Sequence, residues 1–161
     1  MIHGVRDLRA LVGSPVPLFD RLVDGEPERR YEERPLRVLT GPELVESVER
    51  ELNRLLNTRG SRRSVKLPPD QRTVLDYGLP DFSGRFSGSE VDRQWLAEQV
   101  VETIRAFEPR LHEPVAEVLP RDPSSGAEGV RLEIGGEVRQ GTFMEPVSFP
   151  LTIESPAPGG R

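Results

Sequence analysis

Two stretches of the chain repeat apolar residues at helical spacing, and three later stretches alternate them in twos. In the first, Leu44, Val48, Leu52, Leu55 and Leu56 share one helical face. Thr40 is placed as the N-cap, Glu43 completes a capping box, and Pro42 is tolerated in the first turn. The pattern predicts a helix that ends near Asn57, before Gly60. The second helix opens at Ser89 as N-cap, with Asp92 in its first turn. Val91, Trp95, Val100, Ile104 and Phe107 form its apolar stripe, widened by Leu96 and Val101. It ends at about Phe107, because Pro109 cannot continue a helix and the residue before a proline avoids helical geometry. Beyond that point the period falls to two. A short strand is predicted around Val115 to Leu119. A second runs over 130–138, with Val130, Leu132 and Ile134 on one face, and a third over 147–154, with Val147, Phe149, Leu151 and Ile153. Gly135-Gly136 signals a bulge or bend, and Pro150 marks its strand as an edge. Helices followed by strands predict an α+β fold, with N-terminal helices on a small antiparallel C-terminal sheet that has an exposed edge.

Residues 1–13 are weakly amphipathic through Val5, Leu8, Leu11 and Val12, and Leu18, Phe19 and Leu22 fit a short helix ending near Gly25. A charged connection, ERRYEERPLR, follows. Residues 67–88 are dense in Pro, Gly, Asp and Ser, yet Val74, Leu75, Tyr77, Leu79 and Phe82 read as buried, so this long loop is expected to be ordered. The predicted organisation is one domain over 17–155, between a flexible segment at 1–16 and a flexible tail at 156–161.

Composition narrows the chemistry. The net charge of -5 argues against bulk attraction to nucleic acid or anionic lipid. The absence of cysteine excludes disulfides and thiolate metal sites, and His3 and His112 alone do not make a zinc site. No apolar run approaches the roughly 20 residues that cross a bilayer. A soluble, cytoplasmic protein without metal or cofactor is expected. Lys66 is the single lysine beside 21 arginines, and arginine favours planar, bidentate pairing with carboxylates. Four basic residues lie between Arg59 and Lys66, either a solvated loop or a face for an acidic partner.

No motif for a nucleophile elbow, phosphate loop or dinucleotide fold is present. A glycosidase needs one carboxyl in an apolar pocket with a raised pKa. Glu108 beside Phe107 is the nearest candidate, and Arg110 would push its pKa the wrong way. Glu108 also sits at the carbonyl end of a helix, where a negative charge is unfavourable without a partner. Two readings of Glu108, Pro109 and Arg110 stay open. They form a rigid two-signed tile for a partner surface, or an internal clasp that braces the YGLPD loop.

Four stretches, PLFDRLVD (17–24), ERELNRLLNTR (49–59), TVLDYGLPDFSG (73–84) and AFEPRL (106–111), together resemble the TssE family, a baseplate component of bacterial type VI secretion systems. That family is similar to the wedge proteins of contractile phage baseplates, once labelled lysozyme-like. The resemblance spans about residues 17–155. It implies a structural, non-enzymatic role at the cytoplasmic face of the inner membrane. The implied partners are the baseplate subunits TssF, TssG and TssK and the small and large sheath subunits TssB and TssC, with no nucleic acid and no membrane insertion. It implies a sheet edge offered to the first sheath ring, for which Leu132, Ile134, Phe149, Leu151 and Ile153 mark the candidate strands. It also implies that Glu108, Pro109 and Arg110 face the baseplate core. Asp76, Tyr77, Gly78, Leu79, Pro80 and Asp81 are expected to serve the fold, with Asp76 at a position where the family favours asparagine. An equivalent subunit of a phage tail or extracellular injection system, and a peptidoglycan hydrolase, are the alternatives.

Overall fold

The computed structural model describes residues 14–15, 17, 28, 38–39, 41–60, 67–82, 89–120 and 129–154. The N-terminal amphipathic segment, the short helix around Leu18–Leu22, most of the basic run and the C-terminal tail lie outside them. A two-residue strand β1 (Ser14–Pro15) pairs antiparallel with β2 (Val38–Leu39). Helix α1 (Pro42–Asn57) follows, then two single-turn 3-10 helices at Pro69–Gln71 and Val74–Asp76. Helix α2 (Glu90–Phe107) leads into strands β3 (Leu111–Val118), β4 (Val130–Gln140) and β5 (Phe143–Ile153). These three form an antiparallel sheet in the order β3-β4-β5. The helices pack on one face of it, so the fold is α+β.

Helix α1 carries the face that the periodicity predicts: Leu44, Ser47, Val48, Leu52, Leu55 and Leu56 are buried. Its start differs. The N-cap is Gly41 at φ 53, with no side-chain cap bond, and Thr40 lies outside the described residues. The Gly41 carbonyl accepts from Leu44 N and Val45 N at 3.1 and 3.3 Å. Pro42 stands in the first turn, where its fixed φ suits helix entry, and this moves the cap to the residue before it.

Helix α2 starts as expected, with the Ser89 hydroxyl accepting from Asp92 N at 3.2 Å. Its buried face is Leu96, Val100, Thr103 and Ile104, while Val91 is 75% exposed. The stripe predicted through Val91 is thus turned toward Leu96. Apolar residues ring this helix, so several stripes fit the sequence and packing on β3 selects one.

Strands β4 and β5 form a long hairpin with unbroken register from Val130↔Ile153 to Gln140↔Phe143. The predicted irregularity at Gly135-Gly136 is real but lies on the neighbouring strand. Between His112 and Val115, β3 bulges, and Glu113 takes a positive φ of 45. The bulge brings β3 onto Gly136, where a Cβ would stand 2.9 Å from the His112 carbonyl oxygen. Glycine is needed there because a second chain passes too close for a side chain.

The core lies between the helices and the sheet. Leu132, Ile134, Val138, Phe149, Leu151 and Ile153 meet Leu52, Leu56, Leu96, Val100 and Ile104 in one buried cluster, closed by Leu79 and Phe82 from the loop.

Candidate functional site

The sequence singles out three places: the corner after α2, the loop before it, and the free side of the sheet. At the corner, Glu108 ends α2, its N–H donating to the Ile104 carbonyl at 2.8 Å. Its side chain is only 3% exposed. Such a carboxylate is costly unless it is paired and hydrogen-bonded. Arg110 provides this in bidentate form. Its Nε donates to Oε1 at 2.7 Å and its Nη2 to Oε2 at 2.5 Å. The Arg110 backbone N–H adds a bond to Oε1 at 3.2 Å, and Nη1 reaches across to the buried Ser47 hydroxyl on α1 at 2.9 Å. Pro109 makes the tight turn that lets residues two apart meet. The pair closes within the chain and ties α2 to α1 through Ser47.

The loop packs beside the same corner. The Tyr77 ring meets Phe107 edge to face, with centroids 5.4 Å apart. Burial pushes the Tyr77 phenol above its usual pKa, and the nearby carboxylates of Glu51 and Glu108 add to this against Arg54. Gly78, at φ 104, lets the loop cross the end of α1. A Cβ there would stand 2.8 Å from the Thr58 carbonyl carbon. The crossing is a backbone bridge: Leu79 N donates to Thr58 O at 2.9 Å and Gly60 N to Leu79 O at 2.8 Å. Leu79 and Phe82 are buried, and Pro80 and Asp81 are partly so. Asp76 closes a capping box, its carboxylate accepting from Thr73 N at 2.9 Å and Thr73 Oγ1 at 3.0 Å. A carboxylate serves both bonds, so asparagine's donor is not needed for them. Val74 and Leu75, expected in the core, are 86% and 65% exposed. The capped turn fixes the backbone and leaves both side chains on its outer side.

At the sheet, Leu132, Ile134, Phe149, Leu151 and Ile153 are all buried against the helices. Strand β4 has a neighbour on each side, so Leu132 and Ile134 belong to a strand with no free edge. Strands β3 and β5 are the two outer strands, and Phe149, Leu151 and Ile153 lie on β5. The register of β5 pairs Pro146 with Glu137 and Pro150 with Glu133. Proline gives no N–H to a ladder, so these are the non-hydrogen-bonded pairs. Residues 143, 145, 147, 149, 151 and 153 therefore bond β4, and the backbone groups of Met144, Pro146, Ser148, Pro150 and Thr152 point outward.

Two residues that the sequence did not single out by role complete this region. Asn57 and Arg59, at the end of α1, bracket the end of β5. Asn57 Oδ1 accepts from Glu154 N at 3.0 Å, and its Nδ2 donates to Thr152 O at 3.5 Å. Arg59 Nη2 donates to Glu154 O at 2.5 Å, and its guanidinium lies 4.7 Å from the centre of the Phe82 ring. The signal was the polar triplet Asn57-Thr58-Arg59 directly after the last buried leucines. Besides local bonds to the last turn of α1, its partners at the end of β5 lie 95 residues or more away, beyond any local pattern.

Among the described residues no His, Asp and Glu group is arranged to hold a metal ion. No helix among them is long and apolar enough to cross a membrane. No curated protein sequence matches the chain. Among solved structures it is similar to a chain of the baseplate complex from the type VI secretion system, at 19% identity over 68% of this chain and 93% of that one, with TM-score 0.47. It is also similar to a protein called a tail lysozyme from Geobacter sulfurreducens, at 24% identity over 75% of this chain and 99% of that one, with TM-score 0.39. Residues 42–142, which hold α1, the loop, the Glu108–Arg110 corner and the hairpin turn, match the family model of the baseplate wedge protein gp25. The chain belongs to the gp25 baseplate wedge family.

Proposed function

We propose that the protein is a structural subunit of a type VI secretion baseplate that links the wedge to the first ring of the contractile sheath and helps to start sheath assembly. Membership of a wedge family gives the assembly. The secretion branch rests on the LFDRL and LLNTR stretches beside YGLPD and FEPRL. The observation that carries the sheath contact is the outer edge of β5, a long strand whose far side has no partner strand among the described residues. An exposed edge accepts a further strand through backbone bonds. In this reading TssF, TssG and TssK are wedge neighbours, TssB and TssC supply the strand, and the complex sits at the cytoplasmic face of the inner membrane.

The geometry of Glu108 favours this role over wall hydrolysis. Both of its oxygens are held by one guanidinium, which suits a structural ion pair and not a proton donor in an apolar pocket.

Pull-down of the tagged protein from cells carrying its own gene cluster, read by mass spectrometry, tests the proposal. Recovery of TssF, TssG, TssK and both sheath subunits is expected. A folded protein that recovers none of them overturns it. Clearing of purified cell wall that is lost in Glu108→Gln would support the hydrolase instead.

A further inference from the structure

We propose that the edge of β5 is a bounded docking strip, from Met144 to Pro150, for one proline-free strand of another protein, and that Asn57 is its built-in stop. The sheath as donor of that strand rests on the function proposed above; the boundary and the chemistry of the strip do not.

The limits come from backbone parity. Thr152 and Glu154 have the same parity as Pro146 and Pro150, so their groups also point outward. Both are already engaged: Thr152 O and Glu154 N by the Asn57 amide, and Glu154 O by Arg59. A side-chain amide presents one carbonyl and one N–H, as a peptide unit does. Asn57 thus fills the place of the next strand where β5 ends. An incoming strand that ran past Pro150 would have to displace it.

The selectivity comes from the prolines. From Met144 to Pro150 the strip offers four carbonyls, on Met144, Pro146, Ser148 and Pro150, but only two N–H groups, on Met144 and Ser148. A partner strand with every N–H intact can use all four acceptors. A second copy of β5 brings the same two gaps and satisfies fewer bonds in every register. The edge therefore disfavours pairing with itself and fits a foreign, donor-complete strand. Phe143 stands at the open end, 77% exposed, where an added strand would cover it.

Photo-crosslinking residues placed singly at Met144, Ser148 and Thr152 test this in cells that carry the gene cluster. All three side chains are exposed on one face of β5. The expected result is cross-linking of a sheath subunit at Met144 and Ser148 and its loss at Thr152, with the Thr152 cross-link appearing when Asn57→Ala is added. Equal cross-linking at all three positions in the otherwise wild-type chain overturns the boundary and leaves the sheath reading standing. Cross-linking of a different protein with the same boundary supports the strip and overturns the sheath as its occupant. Cross-linking between copies of this chain, or none at any position, overturns the inference.

Discussion

At the Glu108–Arg110 corner, both carboxylate oxygens and all three guanidinium nitrogens bond within the chain; along β5, backbone groups from Met144 to Pro150 face outward with no partner strand among the described residues. The two regions reach the surface of the same domain, yet a charged motif marks the closed one and plain prolines mark the open one. A conspicuous pair of charges is not by itself a docking site. Burial makes a pair expensive to break, whereas an edge keeps its bonding capacity in groups that no side chain announces. Helix α1 serves both regions. Ser47 takes the end of the clasp, and Asn57 closes the end of the strip.

The largest expected effect is on the closed side. Arg110→Ala strands a buried carboxylate and should lower stability by about 3–5 kcal/mol, measured by denaturant unfolding. The double variant Glu108→Gln/Arg110→Ala should recover part of that loss. A change within about 0.5 kcal/mol for Arg110→Ala, the size of an ordinary surface substitution, would show that the clasp contributes little and that Arg110 is free to serve a partner.

Next comes the crossing that joins the loop to α1. Gly78→Ala adds a Cβ against the Thr58 carbonyl at φ 104 and should cost about 2–4 kcal/mol in the same assay. An unchanged midpoint would mean that the loop does not hold this crossing in solution.

A smaller effect is confined to alkaline pH. The folded protein holds the Tyr77 proton above the ordinary value of 10.0, whereas the unfolded chain releases it there. The folded state then binds more protons, so stability is full below pH 10.0 and falls as pH rises beyond it. Tyr77→Phe should flatten that part of the fall and leave the neutral region nearly unchanged. Identical alkaline slopes for the two proteins would contradict the buried setting of the ring.

The fold was legible where local rules act alone. The Ser89 cap, the Pro109 stop and the leucines of α1 set the helices, and alternation set the strands. The N-cap shifted because Pro42 chose its own position. The exposure of Val74 and Leu75 was hidden because hydrophobicity does not report how a capped turn points its side chains. The stripe of α2 was ambiguous because apolar residues surround the helix. The bulge was felt at Gly136 but belongs to β3, whose pairing is a long-range property. Pro150 announced an edge, and Pro146 with the observed register turned that hint into a direction for each backbone group. The roles of Asn57 and Arg59 were unreadable for the same reason as the bulge: their partners are set by tertiary packing. Proline at Ile134 would strike a buried residue on the central strand and so report on the fold and not on the edge.

The informative substitution is Ser148→Pro. It removes an outward N–H and the exposed hydroxyl bond to Glu133 but leaves the backbone bonds between β5 and β4 in place, so its cost in stability should be small, about 1 kcal/mol or less. Thermal unfolding and pull-down of this variant, beside wild type, is the most direct measurement. A nearly unchanged Tm, with TssF, TssG and TssK retained and the sheath subunits lost, is the predicted result. Sheath recovery equal to wild type from a folded Ser148→Pro protein would contradict the account.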